Sequence, residues 1–206
     1  MTLSYLLPMH ESVTVTRLSG ERMLQEQLRT RDRAETFYDR QVLDHLNERM
    51  QDFIARQEWM FVATSDARGA CDSTLRAGPA GFVAVLNPRT VAWPEYRGNG
   101  VLASRGNIVE NPHVGLLFVD FTGDRIGLHV NGRAGLADDA PLRARYPGLP
   151  MDTVPGRRPE QWVVAEVEEA YIHCAKHIPR LVRPRDRCDQ SGAKKSDYFG
   201  VGRAVA

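Results

Sequence analysis

The chain has 206 residues, of which 42% are hydrophobic and 26% are charged, the composition of an ordinary globular protein. Its formal net charge of +1 argues against a broad nucleic-acid surface, which needs a strong basic excess. Three widely spaced cysteines, no apolar run near the ~20 residues of a membrane helix and no signal-peptide start predict a cytoplasmic protein without disulfides, a metal site or a membrane partner.

The first part of the chain predicts helices. Residues 1–18 lack helical periodicity and are predicted to form an arm, after which a helix begins with Ser19 as its N-cap. A longer helix is predicted over residues 35–57, because apolar residues recur there at spacings of three and four. We assign residues 1–58 to an arm and helices that pack on the following domain.

After residue 59 the pattern changes to short apolar runs separated by turn signals, which is typical of an antiparallel sheet or barrel. Short helices are predicted over 101–110, capped by Asn99 or a neighbour, and over 138–146. The expected fold is mainly β (β+α): a six- or seven-stranded barrel over 59–180, followed by a basic tail over 181–206. The predicted strands are 60–64, 71–76, 82–86, 90–93, 114–121, 126–136 and 162–171.

The loop before the first short helix has the residues of a phosphate cradle. Gly98 and Gly100 let the backbone approach a ligand, and a helix start offers free N–H groups to an anion. Arg97 adds a planar, charged fork that matches phosphate. The alternative is an ordinary turn before a helix, which this pattern forms more often.

Arg76 strengthens the case for an anion site. Strand alternation places Thr74 and Arg76 on one face and Leu75 on the other, so Thr74 and Arg76 could contact one phosphate together. The alternative is an exposed arginine at a strand end beside a residue chosen for β propensity.

Other residues leave two interpretations open. Trp93 is either a flat wall for a ring system or, more often, core, and Asn107 either binds a ligand or caps a loop. His129 and Asn131 share a strand face that lines a barrel mouth or meets solvent. Adjacent His173 and Cys174 point to opposite faces, which disfavours a Cys–His catalytic pair. A Walker loop, a nucleophile elbow and a dinucleotide-binding fingerprint do not occur in the sequence.

Six segments in a fixed order carry a family resemblance. They are FVAT (61–64), GFV (81–83), PEYRGNG (94–100), SRGNIVENP (104–112), VGLLFVDF (114–121) and VNGRA (130–134). As a series they resemble the pyridoxamine 5′-phosphate oxidase-related, FMN-binding split-barrel proteins, over about residues 35–180. The match is closer to the uncharacterised branch than to the vitamin B6 enzyme.

The resemblance implies a split β-barrel, used as a homodimer with two FMN sites at the subunit interface. It implies that Arg76 and the 97–100 loop hold the phosphate, that Trp93 and Pro94 contact the ring, and that the other subunit completes the site. The cofactor-binding residues predicted on this basis are Thr74, Leu75, Arg76, Trp93, Pro94, Arg97, Gly98, Asn99, Gly100, Ser104, Asn107, His129, Asn131 and Lys176.

This sequence departs from the family at several positions. Relatives often carry lysine at the position of Arg76 and arginine at that of His129, and the vitamin B6 enzyme has a glutamine where Gly127 stands. Its C-terminal substrate residues also have no counterpart, which argues against oxidation of pyridoxamine phosphate. We expect an FMN-dependent oxidoreductase acting on a small molecule, with no catalytic side chain assigned. The alternatives are a non-catalytic or redox-responsive flavin module, or a barrel that uses deazaflavin or heme.

Overall fold

In the computed structural model, which describes residues 19–151 and 158–182, eight strands form one antiparallel sheet with five helices around it. The helices are α1 (Ser19–Gln27), α2 (Arg31–Gln41), α3 (Glu48–Ala55), α4 (Ala103–Glu110) and α5 (Asp139–Arg145). The strands are β1 (Val42–Leu43), β2 (Trp59–Ser65), β3 (Cys71–Ala77), β4 (Ala84–Asn87), β5 (Thr90–Tyr96), β6 (His113–Val119), β7 (Gly127–Ala137) and β8 (Pro159–His173).

The strand order is β3-β2-β6-β7-β8-β5-β4, with β1 added at β8. Alternate residues of β2, β6 and β7 point into a shared core, as Met60, Leu116 and Val130 do with at most 2% of their surface exposed. The mainly β, antiparallel split barrel with helices is confirmed. It has one strand more than the maximum predicted, the two-residue β1.

The predicted helix over 35–57 is wrong, because the structure divides it. Helix α2 ends at Gln41, and the extended backbone of Val42 (φ −104°, ψ 124°) pairs with Tyr171 in β8. Helix α3 begins after Asn47, whose side chain accepts the Met50 N–H at 3.0 Å. The apolar spacing matched a helix because the strand and loop residues between α2 and α3 also face the core. Asn47, a favourable N-cap type, was the available signal for a new start.

Strand β5 extends to Tyr96 instead of ending at residue 93 as predicted, so the loop before the next helix begins later. Pro94 pairs with Trp162, and Val91 to Glu95 are all buried, which leaves no alternation to mark the strand end. Helix α4 begins at Ala103, after Leu102 in the left-handed conformation (φ 58°). Asn99 does not cap it: its side chain accepts the Val101 N–H at 3.0 Å and closes the preceding turn.

Helices α1 and α2 hold each other through polar contacts, including the ion pair between Arg22 and Glu35. The apolar residues Met23, Leu24 and Leu28 of this hairpin are 55%, 52% and 70% exposed. Within 19–151 and 158–182, no helix is long and apolar enough to cross a membrane. The predicted arm, the capping side chain of Ser19 and the basic tail beyond 182 lie outside the described residues.

Candidate functional site

A cleft of about 540 Å³ lies between β3, the end of β5 and the first turn of α4. Strand β3 is at one end of the strand order. Consecutive residues of this strand line the cleft, so both of its faces contribute to the walls. The cleft brings together half of the predicted binding residues, from β3 and from the loop before α4. These are Thr74, Leu75, Arg76, Gly98, Asn99, Gly100 and Ser104.

Arg76 lies in the cleft wall as part of a two-point ion pair. Its Nε and one terminal nitrogen donate to the two carboxylate oxygens of Glu95 at 2.8 and 3.0 Å, and its other terminal nitrogen donates to the Thr74 hydroxyl at 2.9 Å. The side chain of Glu95 is only 8% exposed, and it also accepts the Trp93 indole N–H at 3.1 Å. Thr74 and Arg76 therefore share a face, as alternation predicted, but much of the guanidinium already has partners.

The first turn of α4 forms the opposite wall. It has no side-chain cap, and Gly100 precedes it with a φ of 84° that favours glycine. The Ser104 hydroxyl donates to Asp72 of β3 at 3.1 Å. Arg105, with a side chain 10% exposed, donates to Glu160 and Gln161 of β8, both at 3.2 Å. These contacts hold α4 against β3 on one side and β8 on the other.

Sequence reasoning missed three charged residues that line this cleft: Asp72, Glu95 and Arg105. The sequence pattern could have identified Asp72, because this residue alternates with Thr74 and Arg76 along the same strand. Glu95 had been placed in a loop, and the pairing of Arg105 with β8 spans 55 residues, so no local pattern indicated them.

Four predicted residues lie beside the cleft or beneath it. Trp93 is fully buried in the main hydrophobic core, as its core interpretation predicted. Pro94 is buried next to it, and Arg97 is exposed in the loop. Asn107 donates to the Thr64 hydroxyl at 3.0 Å and so ties α4 to β2.

The structure places His129 and Asn131 on the outer face of the sheet, away from the cleft lining. His129 Nε2 lies 2.9 Å from His173 Nδ1, and its ring stacks on Tyr171 with 4.7 Å between centroids. Burial lowers the pKa of His129 below its usual 6.5, the adjacent His173 lowers it further, and Glu169 raises it. Asn131 donates to Glu169 at 2.8 Å.

The last predicted residue, Lys176, is exposed in the segment after β8. Cys174 nearby is exposed as well, and its sulfur accepts the Lys176 backbone N–H at 3.4 Å. His173 turns its ring to His129, so the structure gives it no contact with Cys174. Among the described residues, no cluster of three or more His, Cys, Asp or Glu side chains could hold a metal ion.

The hydrogen-bond donors on the two walls of the cleft suit an anion such as a phosphate. Arg76 and the hydroxyls of Thr74 and Ser104 converge from two walls, and the uncapped α4 adds backbone N–H groups. The same cleft also contains two carboxylates, Asp72 and Glu95. The protein is therefore an antiparallel split barrel with a candidate anion-binding cleft beside a short helix.

The sequence profile described as pyridoxamine 5′-phosphate oxidase matches residues 46–174, well over half of the chain. The chain therefore belongs to the pyridoxamine 5′-phosphate oxidase family. The matched segment contains every predicted binding residue except Lys176. A search of curated proteins gave no match.

Solved structures of similar proteins show low identity to this chain. HupZ from Group A Streptococcus is 23% identical over 62% of this chain and 93% of its own, with a TM-score of 0.45. An FMN-binding protein from Syntrophomonas wolfei is 14% identical over 79% of this chain and 98% of its own, with a TM-score of 0.45. HutZ, a heme storage protein from Vibrio cholerae, is 13% identical over 62% of this chain and 94% of its own, with a TM-score of 0.39.

Proposed function

We propose that the cleft between β3, β5 and α4 binds FMN and that the protein is an FMN-dependent oxidoreductase for a small molecule. The observation that carries this proposal is the convergence of Arg76, Thr74 and Ser104 at the uncapped start of α4, on the barrel of a family named for a phosphate-containing substrate. Bound FMN would supply the hydride chemistry, and the protein would supply position and electrostatics.

Each wall has a distinct part in holding the phosphate. Arg76 lines the cleft and brings its positive charge there, and Glu95 holds its planar guanidinium in one orientation. Ser104 offers its backbone N–H from the other wall, and its hydroxyl, which donates to Asp72, can turn its hydrogen toward a bound phosphate. The glycine-containing loop between them, with Gly98 and Gly100, leaves room for a ligand because no side chain projects from those positions.

We also propose that the protein is a homodimer with the cofactor at the interface. Five directly opposed residues form what we call the outer row, which crosses the outer face of the sheet from β3 to β8 and is most exposed at its β3 end. Phe61 and Leu75 in it are 37% and 54% exposed, and Leu75 also lines the cleft. A second copy seated on this apolar row would therefore wall the cofactor cleft. The outer row is Leu75, Phe61, Leu117, His129 and Tyr171.

The test is the visible absorption spectrum of purified protein, recorded before and after excess FMN and desalting. Retained flavin bands support the cofactor proposal, and reduction of the bound flavin by NADH or NADPH, followed by reoxidation with amine, quinone or aldehyde panels, supports an oxidoreductase. Flavin that binds tightly but is never turned over would instead indicate a carrier or redox-responsive module. A protein that retains no FMN contradicts the proposal.

One observation favours a second candidate, a heme protein. His129 and His173 lie together on the outer sheet face, and His173 is close to the end of β8. An imidazole there could ligate a heme iron. A Soret band after hemin addition that is lost in His173→Ala would support heme, whereas an unchanged band would place the ligand elsewhere. Titration with a deazaflavin covers the remaining alternative.

A cytoplasmic location also remains a proposal. Its support is the pair of exposed free thiols of Cys71 and Cys174, since free cysteines are typical of reducing compartments. Fractionation of cells that express the full chain tests it, and recovery outside the cytoplasm would contradict it.

A further inference from the structure

The charged residues that line the cleft balance each other. They are two arginines, Arg76 and Arg105, and two carboxylates, Asp72 and Glu95. Arg76 is held by Glu95, and Arg105 by Glu160. A cleft built only to capture an anion would have surplus positive charge, so this one attracts a phosphate less than its two arginines alone would indicate.

Asp72 differs from Glu95, the other carboxylate that lines the cleft. Its side chain lies on the same face of β3 as Thr74 and Arg76, and it accepts the Ser104 hydroxyl. Among the described residues, no ion pair includes it, whereas Glu95 and Glu160 each have an arginine. Its negative charge is therefore not matched by a direct cationic partner.

A phosphate bound by both walls of the cleft would lie next to the Asp72 carboxylate. Any phosphate that contacts both Arg76 and Ser104 lies beside Asp72, because Asp72 is two residues from Thr74 on one wall and hydrogen-bonded to Ser104 on the other. A phosphomonoester carries a charge of about −1.5 to −2 at neutral pH. The two like charges repel each other, and the Ser104 hydroxyl has to be shared between them.

We propose that Asp72 is a specificity-determining residue of the cleft, which reduces the preference for a phosphorylated flavin over the same flavin without phosphate. This inference rests on the proposed FMN function. Charge repulsion by Asp72 acts on the phosphate and not on the uncharged part of the ligand. Its effect is therefore confined to FMN and absent for riboflavin, which has the same ring and no phosphate.

The experiment compares wild-type protein with Asp72→Asn for both flavins, by quenching of flavin fluorescence. Asparagine keeps the size of the side chain and an oxygen that accepts the Ser104 hydroxyl, and removes the charge. We expect FMN to bind about tenfold more tightly in the variant, a change of ~1.4 kcal/mol, and riboflavin to bind as in wild type. Asp124→Asn is the matched control, because Asp124 is exposed and pairs with Arg56 outside the cleft.

Inorganic phosphate provides an independent readout as a competitor of FMN, and it should compete at lower concentration in Asp72→Asn. Circular dichroism checks that the variant is folded, and Asp72→Ser repeats the test if it is not. Equal effects on FMN and riboflavin, or none on either, would overturn the role of Asp72 while leaving FMN binding intact. Failure of both flavins to bind any of the proteins would overturn the FMN proposal and this inference with it.

Discussion

Arg76 and Glu95 join two strands that are not neighbours in the sheet. Arg76 lies on β3, at one end of the strand order, and Glu95 on β5, near the other end. Their two hydrogen bonds join β3 to β5, which have no backbone hydrogen bonds to each other in the sheet. The pair therefore both supports the fold and shapes the cleft, and mutations at Arg76 act on both.

We expect Arg76→Ala to lower the free energy of unfolding by roughly 1–3 kcal/mol, the cost of leaving a buried polar group without its partner. Within the described part of the chain, Glu95 then keeps the Trp93 indole N–H as its one side-chain donor. Urea denaturation measures the loss. Adding Glu95→Gln should recover part of it, because an amide is cheaper to bury than a charge. A double variant less stable than Arg76→Ala alone would contradict this account.

The same substitution should weaken FMN binding by roughly 1.5–3 kcal/mol, the range for a hydrogen bond to a charged group. Isothermal titration under conditions where circular dichroism shows the variant to be folded measures the change. Arg68→Ala is the control, because Arg68 lies at the tip of the β2–β3 hairpin and its side chain is 90% exposed. If FMN affinity is unchanged in Arg76→Ala, the phosphate lies elsewhere.

Local patterns predicted the parts of this protein that depend on neighbouring residues. Alternation along β3 placed Thr74 and Arg76 on one face. Turn signals between the predicted strands 60–64 and 71–76 indicated a hairpin, which closes with the Gly69 N–H donating to the Asp66 carbonyl oxygen at 3.0 Å. The apolar spacing around Val42 was ambiguous, since a short strand that pairs with β8 meets the same core.

Contacts between distant strands could not be predicted in this way. The partner of Arg76 depends on how β3 approaches β5, and the meeting of His129 with His173, 44 residues apart, depends on the register of β7 and β8. That register shifts at a bulge between Asn131 and Gly132, which alternation in one strand does not reveal. The charge balance of the cleft follows from these long-range pairings.

Gly132 marks that bulge, and we expect Gly132→Ala to destabilise the protein by about 3 kcal/mol, at the upper end for overpacking. An added Cβ would lie 1.9 Å from the Glu166 carbonyl oxygen in β8, and backbone cannot move aside as a side chain does. Gly20→Ala in α1 is the contrasting variant, because nothing lies within 4 Å of its Cβ position. It should stabilise the helix by roughly 0.5–1 kcal/mol. Thermal unfolding of both variants tests this prediction. Equal melting temperatures for Gly132→Ala and Gly20→Ala would contradict it.

The outer row provides a test of the proposed dimer. Phe61→Glu places a charge next to Leu75 at the exposed, apolar end of this row. It should convert the protein to a monomer in sedimentation velocity, since a buried unpaired charge is costly at an interface. Met23→Glu is the control, because Met23 is 55% exposed on α1 rather than on the sheet face. If the cofactor lies at the interface, Phe61→Glu should lose FMN as well. If the wild-type protein sediments as a monomer, the homodimer proposal is wrong.

The His129–His173 contact predicts a pH dependence of stability. The pKa of His129 is lowered in the folded state by burial and by His173, against the opposing effect of Glu169, whereas the unfolded chain has the ordinary value near 6.5. Below that pH the unfolded state binds more protons than the folded state. The free energy of unfolding is therefore largest above pH ~6.5 and falls as the pH decreases toward the lowered pKa of the folded protein.

Urea denaturation of wild type and His129→Gln between pH 8 and pH 5 measures this dependence. The variant should show a flatter profile over that window, and carboxylates with ordinary pKa values near ~4 contribute mainly below it. His113→Gln is the matched control, since His113 lies on the neighbouring strand β6 and contacts Asn111 and Arg133 rather than a second histidine. If wild type and His129→Gln lose stability in parallel as the pH falls, some other group titrates in this range and the histidine pair does not set the pH dependence.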